Sequence, residues 1–123
     1  MGFSTALKNY MLDQAGTNKL LYASLHTADP GNTGASEVTG GSPAYARKTT
    51  SWSAAASGGK NLASTATFDV PAGSTVAYVG LWDSLSGGNF QGGGPLATSE
   101  SYSAQGTYTL TNPTSGGFVS ISS

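Results

Sequence analysis

One segment constrains the fold more than any other. Residues 76–83, VAYVGLWD, carry β-branched, aromatic or aliphatic side chains at most positions, and turn-forming residues such as Pro71, Gly73 and Gly87 bracket them. The segment is therefore predicted to be a strand. Because both of its faces are apolar, we expect a central strand buried between two layers. Gly80 has no side chain to pack, so we expect a bulge there, or the close approach of another backbone or a large ring.

Turn signals recur about every 8 to 12 residues, a spacing typical of antiparallel sandwiches and barrels. Residues 62–70 alternate most regularly between apolar and polar side chains, which indicates a strand with one face in water. A strand that starts at Phe90 is expected to stop at the glycines and proline of residues 92–95. Further strands are predicted at residues 19–27, 45–52, 96–102, 107–112 and 118–121. The fold class is thus mainly β: an antiparallel β-sandwich, jelly-roll-like, with one short N-terminal helix.

The helix is predicted at residues 4–15, where Ser4 can cap the start and Gly16 can end it in a left-handed conformation. Long or apolar side chains recur at helical spacing at Leu7, Tyr10, Met11 and Gln14. This stripe should rest on another part of the protein, so we expect the helix to cap one end of the sandwich. Docking of the stripe on a partner is the alternative.

A chain of 123 residues has room for one domain. We therefore assign residues 1–123 to a single domain, with the helix in residues 1–16 and the sandwich in residues 19–123. Residues 28–43 form a connection longer than the roughly 12 to 15 residues beyond which a structureless loop is usually functional. They are the best candidate for a contact arm or binding loop. We expect the core to contain Phe3, Tyr22, Phe68, Val79, Leu81 and Trp82.

The low charge of the chain limits its partners. Charged residues make up 9% of the sequence and the formal net charge is −1, against about a quarter charged residues in ordinary domains. The five cations are scattered, so no nucleic-acid partner is expected. No membrane partner is expected either, because no run approaches about 20 apolar residues. The start lacks a signal peptide, which predicts synthesis in the cytoplasm, and the absence of cysteine excludes disulfides.

Catalysis has no local support in the sequence. His26 is the single histidine and no Gly-x-Ser-x-Gly elbow surrounds a serine, so we predict no catalytic residue and no enzyme. His26 is expected at a strand end with its hydrogen bonds satisfied. Asp29 and Glu37 share the long loop, but their spacing misses the EF-hand pattern, so no metal is predicted. Residues 29–32 are better explained as a turn.

No cofactor is predicted. Residues 92–97 fit the letters of a dinucleotide fingerprint, yet no helix follows them and the chain shows no alternation of strands and helices. Tyr45, Trp52 or Tyr102 could stack on sugar rings as in a lectin, although isolated aromatic residues on strands are more often part of the core.

Several runs resemble a known family: SLHTADPG at residues 24–31, TGASEVTGG at 33–41, YAR at 45–47, VGLWD at 79–83 and GGNF at 87–90. They are similar to small virion proteins of tailed bacteriophages, labelled tail-fibre or minor structural proteins and common in phages of actinobacteria. The similarity extends from the N-terminal helix to about Glu100. The resemblance implies a non-enzymatic particle component present in many copies, and it leaves open which surface of the particle carries it. We expect the exterior.

We therefore expect an accessory virion protein, in the first place a capsid (head) decoration protein that bridges capsid subunits, since the chain has neither a heptad shaft nor internal repeats. Its partners would be the major capsid protein or another virion protein, with homo-oligomers on the particle. The alternative is a tail-fibre or minor tail protein with host-surface or glycan binding, through Trp52 or Tyr102. The candidate partner-contact residues are Asp29, Asn32, Glu37, Arg47 and Lys48.

Overall fold

The computed structural model describes residues 2–113 and 117–121. Within them the chain forms one helix and eight strands, in the order α1 (Thr5–Asn18), β1 (Tyr22–His26), β2 (Lys48–Thr49), β3 (Gly59–Lys60), β4 (Ala66–Val70), β5 (Thr75–Trp82), β6 (Phe90–Ser101), β7 (Gly106–Leu110) and β8 (Val119–Ser120). The connection predicted after residue 112 lies partly outside the described residues.

The largest sheet has four strands in the order β2-β1-β5-β6, and all of its pairs are antiparallel. β5 therefore lies in the interior of the sheet, as the apolar segment at residues 76–83 predicts. Val76 is fully buried, and Leu81 and Trp82 are less than a tenth exposed. The register with β6 shifts at two places, between Val76 and Tyr78 and between Leu81 and Trp82.

Two smaller antiparallel sheets, β4-β7 and β3-β8, complete the described strands. Phe68 and Val70 of β4 and Leu110 of β7 pack in the same core cluster as Ala23 and Leu25 of β1. The mainly β, antiparallel prediction with one short helix is confirmed, and the sheets share a core as in a sandwich. The jelly-roll-like order stays a prediction.

β6 corrects the expected break at residues 92–95. The strand runs without interruption through the three glycines, and Pro95 pairs with Tyr78 of β5. β6 is the edge strand of its sheet, and an edge tolerates proline because the missing N–H can face away from the ladder. The two register shifts absorb the irregular geometry of the pair. The strands predicted at Phe90 and at residues 96–102 are therefore one strand.

The helix is longer than predicted, and Gly16 does not end it. Ser4 is the N-cap, and its Oγ accepts a hydrogen bond of 3.2 Å from the N–H of Leu7. The helix continues to Asn18, and Lys19 caps it by donating its N–H to the carbonyl of Ala15. Gly16 is buried inside the helix. A side chain would not fit at this position, because a Cβ there would lie 2.6 Å from Cε of Lys60. The glycine thus permits close packing between α1 and β3.

The predicted stripe of the helix does not face the core, which is a second correction. α1 packs through Leu12 and Gly16, both buried. Leu7 and Tyr10 are 43% and 62% exposed, and Phe3, expected in the core, is 46% exposed. Periodicity finds a row of similar side chains on a helix, but it cannot tell which of two apolar rows packs inward.

The predicted core residues and strand bounds are confirmed only in part. Phe68, Leu81 and Trp82 are buried as expected, whereas Tyr22 and Val79 are half-buried. The strand predicted at residues 45–52 is reduced to β2, and β3 forms inside a stretch read as loop. No helix among the described residues is long and apolar enough to cross a bilayer.

Candidate functional site

The long loop at residues 28–43 folds back on β1 and is not a free arm. The N–H of Thr27 donates to the carbonyl of Ser36 at 2.9 Å, and the N–H of Val38 donates to the carbonyl of Leu25 at 3.0 Å. Val38 is 2% exposed and belongs to the core. The loop is therefore anchored beside β1 by backbone pairing and by a buried side chain.

The first part of the loop is a compact turn. Asp29 Oδ1 accepts a hydrogen bond of 2.9 Å from the N–H of Gly31, which is the local bond that aspartate makes at a turn. The carbonyl of Pro30 accepts bonds from the N–H groups of Gly34 and Ala35. Gly34 has a φ of +79°, and a Cβ there would overlap the Trp82 ring. The prediction of a turn at residues 29–32 is confirmed.

Arg47 joins this loop to the turn between β5 and β6. Its guanidinium binds both carboxylate oxygens of Glu37 at 3.0 Å, and one of its nitrogens donates to the carbonyls of Ser84 and Gly87 at 2.9 Å. The guanidinium carbon also lies 3.6 Å from the centre of the Trp82 ring. Planar geometry lets arginine make a forked ion pair and stack on an aromatic face at once. One side chain thus holds three segments together.

Tyr45 connects the same cluster to β1 and to the core. Its hydroxyl donates to Glu37 Oε2 at 2.8 Å and accepts a bond of 3.0 Å from the N–H of Leu25. Its ring stacks on Phe68 with centroids 6.2 Å apart. Burial raises the pKa of the Tyr45 hydroxyl far above its usual value. The hydroxyl therefore stays a donor to the carboxylate at any physiological pH.

His26 lies beneath the loop in a continuous chain of hydrogen bonds. Its Nδ1 is 2.8 Å from the carbonyl of Ala35, and its Nε2 is 2.7 Å from Ser24 Oγ. Trp82 Nε1 donates to the same Ser24 oxygen at 2.9 Å. A carbonyl only accepts, so Nδ1 carries the hydrogen and Ser24 donates to Nε2. His26 is a fully buried residue at the end of β1 with both ring nitrogens satisfied, as the sequence predicts.

Burial lowers the pKa of His26, and the positive charge of Arg47 acts in the same direction. The Ala35 carbonyl and the charge of Glu37 act against this shift. Gly80 lies against the ring, since a Cβ there would be 2.6 Å from His26 Nε2 and 2.7 Å from Phe90 Cε1. The expectation that a large ring approaches Gly80 is confirmed.

The turn between β5 and β6 is fixed by its own hydrogen bonds. Asp83 accepts from the N–H of Asn89 at 2.7 Å and from its side-chain amide at 3.0 Å. These two bonds hold the pKa of the Asp83 carboxyl below its usual value. Together with the Arg47 contacts they give the end of the sheet a defined shape. We call residues 28–37 and 83–89 the loop end.

The structure divides the five predicted contact residues into two groups. Glu37 and Arg47 bind each other, with side chains 19% and 8% exposed, so they build the loop end from inside. Asp29 and Asn32 are exposed on its surface, and Lys48 is half-buried in β2. Leu85, 55% exposed on the second loop, has no feature in the sequence that marks it. Contact of any of these residues with a partner stays a prediction.

Sequence reasoning missed the Arg47 cluster as a unit. The residues that Arg47 and Glu37 bind in this cluster lie 8 to 40 residues from them in sequence, and no local pattern links them. The one available signal is composition. The chain has only six acidic and five cationic residues, so a charged residue next to an aromatic residue in sequence is a candidate for an ion pair inside the fold. Tyr45-Ala46-Arg47 after Glu37 fits that description.

The three aromatic residues considered for sugar stacking pack against the core. Trp52 Nε1 donates to the carbonyl of Leu20 at 2.8 Å, and Tyr102 donates its hydroxyl to the carbonyl of Thr107 at 2.9 Å. Within the described residues, a groove of about 670 Å³ lies between β6 and β7, but neither Trp52 nor Tyr102 lines it. No group of three or more acidic or histidine side chains in the described part of the chain could hold a metal ion.

Comparison with known protein families gives a match over most of the chain. Residues 2–114 match a family model described as Podophage GP4 fiber I protein gp80. No curated protein matches the chain significantly. The match covers most of the chain, including the helix, the loop end and every strand up to β7. The resemblance to tailed-phage virion proteins is thereby confirmed, and the chain belongs to the bacteriophage fibre family of the podophage GP4 fiber I protein gp80.

Proposed function

We propose that this protein is a non-enzymatic component of a phage tail fibre, on the exterior of the particle. The observation that carries the proposal is the family match over residues 2–114, because the family is described as a fibre protein. That description favours the tail over the capsid exterior, which was the first expectation from the sequence. Nothing in the described fold favours head decoration specifically.

The loop end is the part of the fold best suited to contact a partner. The ion pair of Glu37 and Arg47, the Tyr45 hydroxyl and the His26 chain fix its backbone before any partner binds. A preorganised surface loses little conformational entropy on binding. Many copies of a weak contact also sum by avidity on a particle. We therefore infer that residues 28–37 and 83–89 form the contact surface of the module.

The chemistry of the loop end favours a protein partner over a sugar. Its large exposed apolar side chain is the aliphatic Leu85, while the exposed aromatic residues Phe3 and Tyr10 lie elsewhere. Sugar sites use exposed aromatic faces for stacking, whereas a mixture of aliphatic and small polar groups suits protein contacts. The proposed partner is another virion protein.

The buried Ser24 and His26 pair does not support catalysis. The two side chains are at hydrogen-bond distance, 2.7 Å, which is the separation of a nucleophile and its base. Both are fully buried, however, and Ser24 also accepts from Trp82. A substrate could not reach the Ser24 oxygen without opening the core. We propose that the pair is structural.

Immunogold labelling of intact particles tests the location. With an antibody against this chain, we expect gold on the tail and none over the head. Gold spread over the head would overturn the fibre proposal and support capsid decoration. The same antibody on disrupted particles serves as the control for epitope access.

A pair of variants tests the contact surface. Asn32→Arg places a long cation on the loop end, and Thr65→Arg places the same cation on an exposed residue before β4. We expect Asn32→Arg to reduce the number of copies per particle and Thr65→Arg to leave it unchanged, as measured by quantitative immunoblotting. Full incorporation of Asn32→Arg with loss of adsorption to host cells would instead indicate a host-facing loop end.

A further inference from the structure

The four-stranded sheet and the β4-β7 sheet are joined along one side and open along the other. On the joined side, the segment after β2 pairs with the segment before β4. The N–H of Ser53 donates to the carbonyl of Asn61 at 2.9 Å. The N–H of Ala63 donates to the carbonyl of Ser51 at 2.6 Å. On the open side, β6 pairs only with β5 and β7 only with β4 among the described strands. The groove of about 670 Å³ lies between these two edge strands.

β6 and β7 are consecutive strands, and only residues 102–105 connect them. Strands joined by so short a connection commonly pair with each other as a hairpin. Here Tyr102 pairs instead with the turn before β5. Its N–H donates to the carbonyl of Ser74 at 2.9 Å, and its carbonyl accepts from the N–H of Gly73 at 2.6 Å. This pairing ties the end of β6 to β5, so β6 and β7 belong to different sheets and each keeps an open edge.

Two glycines of β6 leave the floor of the groove bare. Gly94 pairs with Val79 of β5, and Gly92 pairs with Leu81. Paired residues place their side chains on the same face of a sheet, so both glycines lie where side chains would cover Val79 and Leu81. A Cβ at either glycine would meet nothing within 4 Å. Val79 is consequently only half-buried, although it belongs to the most apolar segment of the chain.

The groove is a different surface from the loop end. Neighbouring residues of a strand point to opposite faces of the sheet, so Val79 and Leu81 face away from the side on which Gly80 approaches His26. The loop end covers the His26 side, and the groove opens on the other. The two surfaces can therefore be occupied at the same time.

The walls of the groove indicate which kind of occupant fits. Both walls are edge strands, and the outer N–H and carbonyl groups of an edge strand can pair with another extended chain. A helix pairs its N–H and carbonyl groups internally, so it could not supply these bonds. Glycine inside a strand often marks a place where another backbone comes close. Gly92 and Gly94 allow that approach.

We propose that the groove receives an extended segment of another virion protein as an additional strand between β6 and β7. The lining includes the apolar side chains of Val79, Leu81, Leu96 and Leu110, and Glu100 is the one charged residue among the described residues that line it. A highly charged segment would lose hydration there without gaining partners. The segment therefore carries apolar side chains at alternate positions, facing the two glycines, and a lysine or arginine beside Glu100.

The length of β7 sets the length of the inserted strand. β7 has 5 residues, which span roughly 17 Å at the rise of a strand, so a segment of similar length reaches along the groove. Every described strand of this chain is already paired in its own sheet. A second copy would have to break one of those pairs to donate a strand, whereas a different protein with a free extended segment would not. The proposal does not depend on the loop end being a contact surface.

Binding of the full chain to a peptide array tests the proposal. The array carries overlapping peptides of about 12 residues, longer than most strands, from the other virion proteins of the same phage. Gly94→Val fills the groove with a side chain, and a Cβ at this position meets nothing within 4 Å. Ser99→Val places the same side chain on an exposed residue of β6 that does not line the groove. We expect peptides with alternating apolar residues to bind, about tenfold more weakly to Gly94→Val and equally well to Ser99→Val.

Hydrogen exchange of the full chain with a bound peptide locates the contact. Exchange should slow in β6 and β7 and stay unchanged in α1, and circular dichroism checks that both variants are folded. Absence of binding by every peptide, binding that Gly94→Val leaves unchanged, or slowed exchange confined to other elements would overturn the proposal. Peptides from this chain are included in the array. Binding confined to them would identify a second copy as the donor and overturn the assignment to a different protein.

Discussion

The loop at residues 28–43 and the helix α1 contrast in a way that composition does not suggest. The loop is rich in glycine, proline and small polar residues, yet the ion pair of Glu37 and Arg47 and the buried Val38 hold it in place. The helix carries the kind of apolar stripe that usually packs inward, yet Leu7 and Tyr10 are exposed. The segment expected to be free is fixed, and the face expected to be covered is open.

The difference shows what sequence patterns do and do not encode. A glycine-rich composition permits turns, but order depends on whether the backbone and side chains find partners. In the loop, those partners come from Tyr45, Arg47 and the β5–β6 turn. An apolar stripe indicates that a helix face will be covered, but it does not say by which molecule.

The largest effect on the contrast between the fixed loop and the open helix face is expected from removing the Arg47 side chain. Arg47→Ala would leave the carbonyls of Ser84 and Gly87 without this donor, and the Glu37 carboxylate would lose its cation and keep only the bond from the Tyr45 hydroxyl. We expect the free energy of unfolding to fall by about 3 to 5 kcal/mol, because a mostly buried charge would be left uncompensated. Urea denaturation followed by tryptophan fluorescence measures the loss.

Lys48→Ala is the matched control for Arg47→Ala. Lys48 is the adjacent residue and also a cation, but it takes part in neither of the ion pairs in the described structure. Its removal should cost no more than about 0.5 kcal/mol. If the two variants lose stability equally, the loop end is not held by Arg47 and the contrast with the helix fails.

Two leucines on opposite faces of α1 test whether one helix face is packed and the other is open. Leu12 is 3% exposed and Leu7 is 43% exposed. We expect Leu12→Ala to lower the free energy of unfolding by about 2 to 3 kcal/mol through loss of buried surface. Leu7→Ala should change it by about 0.5 kcal/mol or less. Thermal unfolding at low protein concentration makes the comparison, and a larger loss for Leu7→Ala would mean that the stripe packs within the protomer.

The elements that the sequence predicts correctly share strong local patterns. β4 and β5 follow from alternation and from a dense apolar run, and the N-cap at Ser4 follows from its side chain. The sequence predicts two strands in place of β6, because three glycines and Pro95 disfavour a strand locally. The pairing of β6 with β5 overrides that local preference, and pairing is a long-range property that a local pattern does not contain.

The candidate site was predictable only in its outline. The long loop, the turn at Asp29 and the role of His26 follow from local sequence. The division of the charged residues into internal and external ones does not, because it depends on Trp82 and on carbonyls of the β5–β6 turn. These groups meet Arg47 only after the four-stranded sheet has formed.

A smaller effect is expected from a single methyl group beneath the loop end. Gly80→Ala would bring a Cβ to 2.6 Å from His26 Nε2 and 2.7 Å from Ser24 Oγ. We expect a loss of about 2 kcal/mol from this overpacking. Gly94→Ala is the control, since a Cβ there meets nothing within 4 Å and should be nearly neutral. Equal stability of the two variants in urea would mean that the ring cluster is loosely packed.

The smallest effect is a pH dependence that originates at His26. Because burial lowers its pKa below the usual 6.5, His26 is neutral in the folded and unfolded states alike at higher pH. As the pH falls below 6.5, the unfolded chain binds a proton that the folded chain does not. Stability is therefore fully present above this value and falls by up to about 1.4 kcal/mol per pH unit down to the folded-state pKa.

The groups that face His26 make this a test of the fixed loop. Glu37 raises its pKa and Arg47 lowers it, so their effects oppose each other while the ion pair is intact. Urea denaturation from about pH 8 to about pH 5 should show the slope in the native chain and not in His26→Gln. The carboxyls of Asp13 and Asp83 have lowered pKa values, so their contributions are lost only at lower pH. A native chain without the slope would mean that His26 is open to water and that the loop above it is not held closed.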